Sequence, residues 1–106
     1  MRNNLESQLV NEIIKATYPH AQLYRINTGT VKTATGYQFS TGTPAGFPDL
    51  AGYRRRDGKA VYIEVKVAPN TPTDKQLAFL ARARIAGCLA GVAYSAEEAV
   101  NIILGE

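Results

Sequence analysis

Asp57-Gly58, set between two runs of β-forming residues, is the feature that most constrains this chain. Asp-Gly between alternating apolar segments is a strong two-residue hairpin signal. It ties residues 49–55 to residues 60–67 as neighbouring antiparallel strands. With Asp57 and Gly58 as the whole loop, Arg56 pairs with Lys59, Asp49 with Lys66 and Ala51 with Glu64. On the second strand Val61, Ile63, Val65 and Val67 fall on one face and should be core, while Ala60, Tyr62, Glu64 and Lys66 fall on the other. Asp49 and Glu64 become diagonal neighbours, roughly 7–8 Å apart at the backbone. Carboxylates so placed can converge on one hard cation, which takes oxygen ligands. Lys66 beside them could activate a water or offset a developing negative charge. The same residues would equally make an ordinary Asp–Lys pair on a solvated sheet face, so the rest of the chain has to decide.

The remaining pattern completes a small α/β fold. Residues 4–17 carry Leu5, Leu9, Val10, Ile13 and Ile14 at helical spacing, with Pro19 as the stop. Residues 22–27 read as a strand and 37–39 as a brief one, with the stretch 40–48 a loop rich in Gly, Thr and Pro. Thr73 opens a helix that runs to about Ala86, closed by Gly87. Residues 90–94 read as a buried strand, and Ser95 with Glu98 as a capping box before a last helix that ends near Gly105. The order helix, three strands, helix, strand, helix requires a mixed sheet, because a helical crossover returns the chain parallel to a neighbour.

Pro48-Asp49 followed by Glu64-Val65-Lys66 resembles the PD-(D/E)xK nuclease signature. The ordered set Glu6, Asn27-Thr28-Gly29, Gly46-Phe47-Pro48-Asp49-Leu50, Glu64-Val65-Lys66 and Gln76 is more specific, and resembles the virus-type replication-repair nuclease (VRR-NUC) domain over nearly the whole chain. The resemblance implies a restriction-endonuclease-like core of αβββαβ order with a C-terminal helix. It also implies a catalytic set of Asp49, Glu64, Lys66 and Gln76. Mg²⁺ or Mn²⁺ would be held by Asp49, Glu64 and the Val65 carbonyl, with Glu6 reaching a second metal or its water. The implied activity is hydrolysis of DNA phosphodiesters, directed at branched or Holliday-junction DNA by a homodimer. A non-cleaving binding module on the same fold and a sequence-specific restriction-type endonuclease are the rival readings.

Several of these residues also have plain structural explanations. Counting about 100° per residue, Glu6 falls within the apolar stripe of the first helix, yet it also stands three residues after Asn3, a capping-box spacing. Gln76 likewise stands three residues after Thr73. Asn27, Thr28 and Gly29 can bind a phosphate or make a simple turn. Thr43 and Gly46 can let a nucleic-acid strand lie close, or merely shape the approach to Asp49. Arg25 and Lys32 are candidate phosphate ligands. Arg54, Arg55, Arg56 and Lys59 form a basic hairpin tip that is either solvated or grips flanking duplex. His20 lacks a Ser or Cys partner at a suggestive spacing and reads as structural; Cys88 reads as a buried, inert thiol.

Length and composition bound the rest. The 106 residues make one domain, and a formal charge of +3 is compatible with a polyanionic partner. A single cysteine excludes an internal disulfide, and one Cys with one His argues against a Cys/His zinc site. With no signal peptide and no long apolar run, the chain is read as a soluble protein of a bacterial or phage-infected cytoplasm, with no membrane partner.

Overall fold

A computed structural model describes residues 4–26, 30–32, 38–40 and 42–105. The order is α1 (Asn4–Thr17), β1 (Ala21–Arg25), β2 (Thr30–Lys32), β3 (Gln38–Ser40), β4 (Leu50–Arg54), β5 (Ala60–Val65), α2 (Asp74–Ile85), β6 (Leu89–Ala93) and α3 (Ala96–Leu104). The main sheet has the order β1-β4-β5-β6, antiparallel except for the parallel β5–β6 pair created by the α2 crossover. The expected mixed sheet is therefore present. β2 and β3 form a separate antiparallel pair. Only the second of these was expected, as a brief strand one residue earlier.

The two faces of the sheet take different cover. Val61, Ile63 and Val65 point toward α1 and α3 and join Leu9, Val10, Ile13, Leu50 and Ile103 in the main core. Burial of such side chains stabilises by about 1.5–3 kcal/mol each. On the opposite face, Tyr62, Ala90 and Val92 pack with Leu80, Phe79 and Ala83 of α2. That places Glu64, two residues beyond Tyr62, on the α2 side.

The hairpin corrects the expected register. Leu50 lies opposite Ile63, Ala51 opposite Tyr62 and Tyr53 opposite Ala60. The Arg54 N–H donates to the Lys59 carbonyl, so the loop holds four residues and not two. Asp57 explains the longer loop. Its carboxylate takes two hydrogen bonds from the Arg54 guanidinium, at 3.1 and 2.7 Å, and one from the Lys59 N–H at 3.2 Å. The slip is two residues, and an even slip keeps every side chain on its face. Asp49, one position before Leu50, thus falls beside Glu64 and not diagonal to it.

Both later helices are capped by the residues expected. Thr73 and Gln76 make a reciprocal capping box, and Gly87 has φ +98° just past the end of α2. At α3 the Ser95 hydroxyl accepts from the Glu98 N–H, but Glu98 accepts from the Tyr94 N–H, one residue outside a standard box.

Candidate active site

Three elements meet at Asp49. Its carbonyl accepts the Ile26 N–H at 2.8 Å, which holds the start of β4 against the end of β1. Its side-chain Oδ2 accepts the Val65 N–H at 2.9 Å, which fixes the carboxylate against β5. On β5 the Glu64 side chain is buried. Its Oε2 accepts Gln76 Nε2 at 3.0 Å and lies 3.4 Å from the Lys66 ammonium. Gln76 does two jobs at once: its Oε1 caps α2 through the Thr73 N–H at 2.8 Å, and its Nε2 reaches Glu64. A single rotamer of Gln76 thus makes both the cap and the contact to Glu64.

Glu64 Oε1 is the anomaly of this site, buried with no hydrogen-bond partner among the described residues. A bare buried carboxylate oxygen is costly, and the carboxyl responds by holding its proton up to about 7. Burial is the main cause; the negative charge of Asp49 and a hydrogen bond from the protonated Glu64 carboxyl to it add to the rise, and the Lys66 ammonium opposes it. Two ionised carboxylates are both acceptors, so only a shared proton or a cation can join Asp49 to Glu64. The donor set is hard oxygen throughout, and it fits Mg²⁺ or Mn²⁺ on that ground. Among the described residues no three His, Cys, Asp or Glu side chains form a metal-sized cluster. Glu6 therefore does not stand as a third carboxylate with Asp49 and Glu64.

The loop entering Asp49 is clamped to α2. Gly46 has φ +86°, and a Cβ there would lie 2.5 Å from the Lys75 carbonyl oxygen, so glycine is required for this close approach. This gives Gly46 a packing role beside the nucleic-acid contact expected for it. Thr43 is half-buried in the same loop. Phe47, which the sequence reading passed over as a site residue, meets Tyr62 and Phe79 in an edge-to-face trio with ring centroids 5.0–6.0 Å apart. An aromatic flanked by Gly and Pro, two residues before the key aspartate, was the available signal.

The other candidates scatter. Arg25 is exposed at the end of β1, and its Nη2 donates to Ser7 Oγ at 3.5 Å. The start of α1, Glu6 included, thus sits at the same end of the sheet as Asp49. Asn27, Thr28 and Gly29 lie outside the described residues, as does the side chain of Lys32. The basic hairpin tip splits. Arg54 is buried, bound to Asp57 and to the Ile103 carbonyl at 2.7 Å, so it closes the end of α3 and is not a solvated or phosphate-gripping cation. Arg55 lies 4.3 Å over the Tyr18 ring and donates to the Tyr18 carbonyl. Arg56 and Lys59 remain exposed. No helix among the described residues is long and apolar enough to cross a membrane.

Comparison with known proteins agrees with the resemblance drawn from the motifs. The family model described as VRR-NUC domain matches residues 3–97. A solved structure described as a VRR_NUC domain is similar, with a TM-score of 0.66 at 20% identity, covering 93% of this chain and 94% of its own. At that identity the likeness speaks for the fold, a PD-(D/E)xK-like mixed sheet flanked by helices. No curated protein matches the chain. With the match spanning nearly its full length, the chain belongs to the VRR-NUC family, and its function is of the nuclease type.

Proposed function

We propose that this chain is a metal-dependent DNA endonuclease, with Asp49, Glu64, Lys66 and Gln76 as its catalytic group. The observation that carries the reading is the Oε1 of Glu64 beside Asp49, buried and without a partner among the described residues. Mg²⁺ or Mn²⁺, held by Asp49, Glu64 and the Val65 carbonyl, would supply Lewis-acid polarisation of the phosphate and acidify a bound water. The protein's own residues do the positioning. The Val65 N–H locks the Asp49 carboxylate, and the Gln76 amide locks one oxygen of Glu64, leaving the other free for a ligand. Lys66, 3.4 Å from Glu64 Oε2, would orient the attacking water and offset charge on the pentacovalent phosphorus. Water adds to phosphorus, one P–O ester bond breaks, and the leaving oxygen takes a proton; no covalent enzyme intermediate is required. Glu6 is kept as an outer residue of the site, acting through water.

The finer proposal is a homodimer acting on branched DNA. Leu77 and Ile85, on the outward side of α2, are 45% and 87% exposed. Apolar side chains so exposed suit a two-fold contact, and two sites allow paired cuts at a junction. The test is cleavage of linear, flap, fork and four-way-junction DNA with Mg²⁺, Mn²⁺ or EDTA, with light scattering for mass. Metal-dependent cutting that favours junctions, by a particle of twice the chain mass, is the expected result. No cutting of any substrate with either metal overturns the enzyme reading in favour of a binding module. A monomer that cuts junctions on both strands removes the dimer alone.

A further inference from the structure

We propose that the cleft between α2 and the loop 42–48 receives one unpaired nucleobase of the strand being cut. This rests on the nuclease reading for its ligand class, and on its own geometry for the site. The cleft measures about 330 Å³ and is lined by Pro44, Tyr62, Phe79, Arg82, Ala86 and Cys88 among others. That volume lies at the small end of ligand pockets, about 300–1,000 Å³.

Its position follows from the elements that build the catalytic group. Tyr62 shares a strand face with Glu64, so the two lie ~7 Å apart along β5. Phe79 follows Gln76 by one turn of α2. Pro44 belongs to the loop that delivers Asp49. Arg82 and Ala86 lie roughly 9 and 15 Å beyond Gln76 along α2, so the cleft leads away from the catalytic group and suits the base of a nucleotide adjoining the one held at Asp49 and Glu64.

The lining suits a base. Tyr62 and Phe79 meet at 77° with centroids 5.3 Å apart, and both touch Phe47, so the rings form a fixed corner. A base entering beside them would meet aromatic surface on which to stack. Such stacking is tolerant of base identity, because every base has a π-face. Arg82 is exposed at the rim, has no ion pair among the described residues, and stands in a lining with no acidic residue. Its guanidinium can stack on a base or meet a phosphate. A paired base cannot enter without unstacking, so occupancy favours substrates that already hold an unpaired nucleotide, such as those at a branch.

Cys88, the chain's single cysteine, is half-buried and not the fully buried thiol its sequence suggested; it borders this cleft and a second cavity beside Arg84 and Ile102, so its alkylation reports occupancy of the cleft only alongside the variant and fluorescence readouts. The experiment follows iodoacetamide labelling in EDTA, where no hydrolysis interferes. The additions are a saturating single-stranded oligothymidylate, an abasic oligonucleotide of equal length, and a blunt duplex. The expected result is at least fivefold slower labelling with oligothymidylate and less than twofold with the other two. A86W, which fills the rim from an exposed position, should lose the protection while melting normally. On the unaltered protein, a single 2-aminopurine in the oligonucleotide should lose at least two-thirds of its fluorescence on binding. Equal protection by the abasic strand, full protection in A86W, or unquenched 2-aminopurine each overturns the inference. Duplex cleavage in Mg²⁺ without base-dependent protection refutes the pocket alone. Base-dependent protection without cleavage under any divalent metal refutes the nuclease reading alone.

Discussion

Replacing Glu64 with glutamine should stabilise the metal-free protein at alkaline pH. Native Glu64 holds its proton to about 7, against an ordinary value of 4.5. In the unfolded chain the proton leaves near the ordinary value. Between these values the native state binds more protons than the unfolded state, so stability falls as pH rises through that window and then levels off. At about 1.4 kcal/mol per pH unit, the loss by pH 8 is on the order of 3 kcal/mol. Glutamine keeps the shape and carries no charge. It leaves the half-buried Lys66 ammonium without its partner, which takes back on the order of 1 kcal/mol. The net gain is then about 1–2 kcal/mol, or about 5–10 °C in Tm for a domain of this size. The assay is thermal melting of both proteins in EDTA at pH 4 and pH 8. Near pH 4 the two should melt together; at pH 8 the variant should melt higher. Saturating Mg²⁺ should reverse the order, adding about 2.7 kcal/mol to native stability at a hundred times Kd, with a matching rise in Tm, and leaving E64Q unmoved. A variant that melts no higher than native at pH 8, or gains equally at pH 4, refutes the account of Glu64 as a charge stranded without its cation.

Asp49→Asn should abolish Mg²⁺-induced stabilisation and cut phosphodiesterase activity at least a hundredfold while the fold persists, measured by melting and by cleavage of labelled DNA. Gln76→Glu should keep the α2 cap, since Glu serves at that helix position, but set a second carboxylate against Glu64; the rising limb of the pH–rate profile should move to higher pH, and an unmoved limb would show that Gln76 does not act through Glu64. Gly46→Ala should lower stability by about 2 kcal/mol or more, from a strained backbone and a Cβ against the Lys75 carbonyl, and urea melts of the purified variant check it. Asp57 is held well below the usual carboxylate range by the Arg54 guanidinium. Its contribution is therefore present above the unfolded value and lost as pH falls through the folded one, so Asp57→Asn should narrow the difference in stability between neutral and strongly acid solution, read from melting at pH 7 and pH 2.

What the sequence revealed, and what it hid, divides by the range of the interaction. Helix α1 was legible to the residue because periodic Leu and Ile positions and a following proline are local signals. The ends of α2 and α3 were legible through Thr73, Ser95, Gly87 and Gly105, whose capping acts within one turn. The alternation of β5 gave the correct faces and so brought Glu64 and Lys66 to one side, together with Asp49. The register did not follow, because Asp57 is engaged by a guanidinium three residues back and not by the two-residue turn its sequence favours. That slip mattered little for the chemistry, since an even shift preserves the face, and it brought Asp49 nearer to Glu64 than the shorter loop would have. Arg54 was misread, and Phe47 passed over, for the opposite reason. A charge in a basic run and an aromatic in a Gly-Pro loop carry no periodicity, and their partners, the Ile103 carbonyl and the Tyr62–Phe79 pair, come from distant parts of the chain. Gln76 shows why a local signal need not compete with a long-range contact. An amide has a donor and an acceptor end, so the cap uses the oxygen and the site uses the nitrogen. Alanine would lose both, and Glu would keep the cap while losing the donor to Glu64. The residue type at position 76 is therefore set by two requirements at once, and only the cap could be read from the neighbouring sequence.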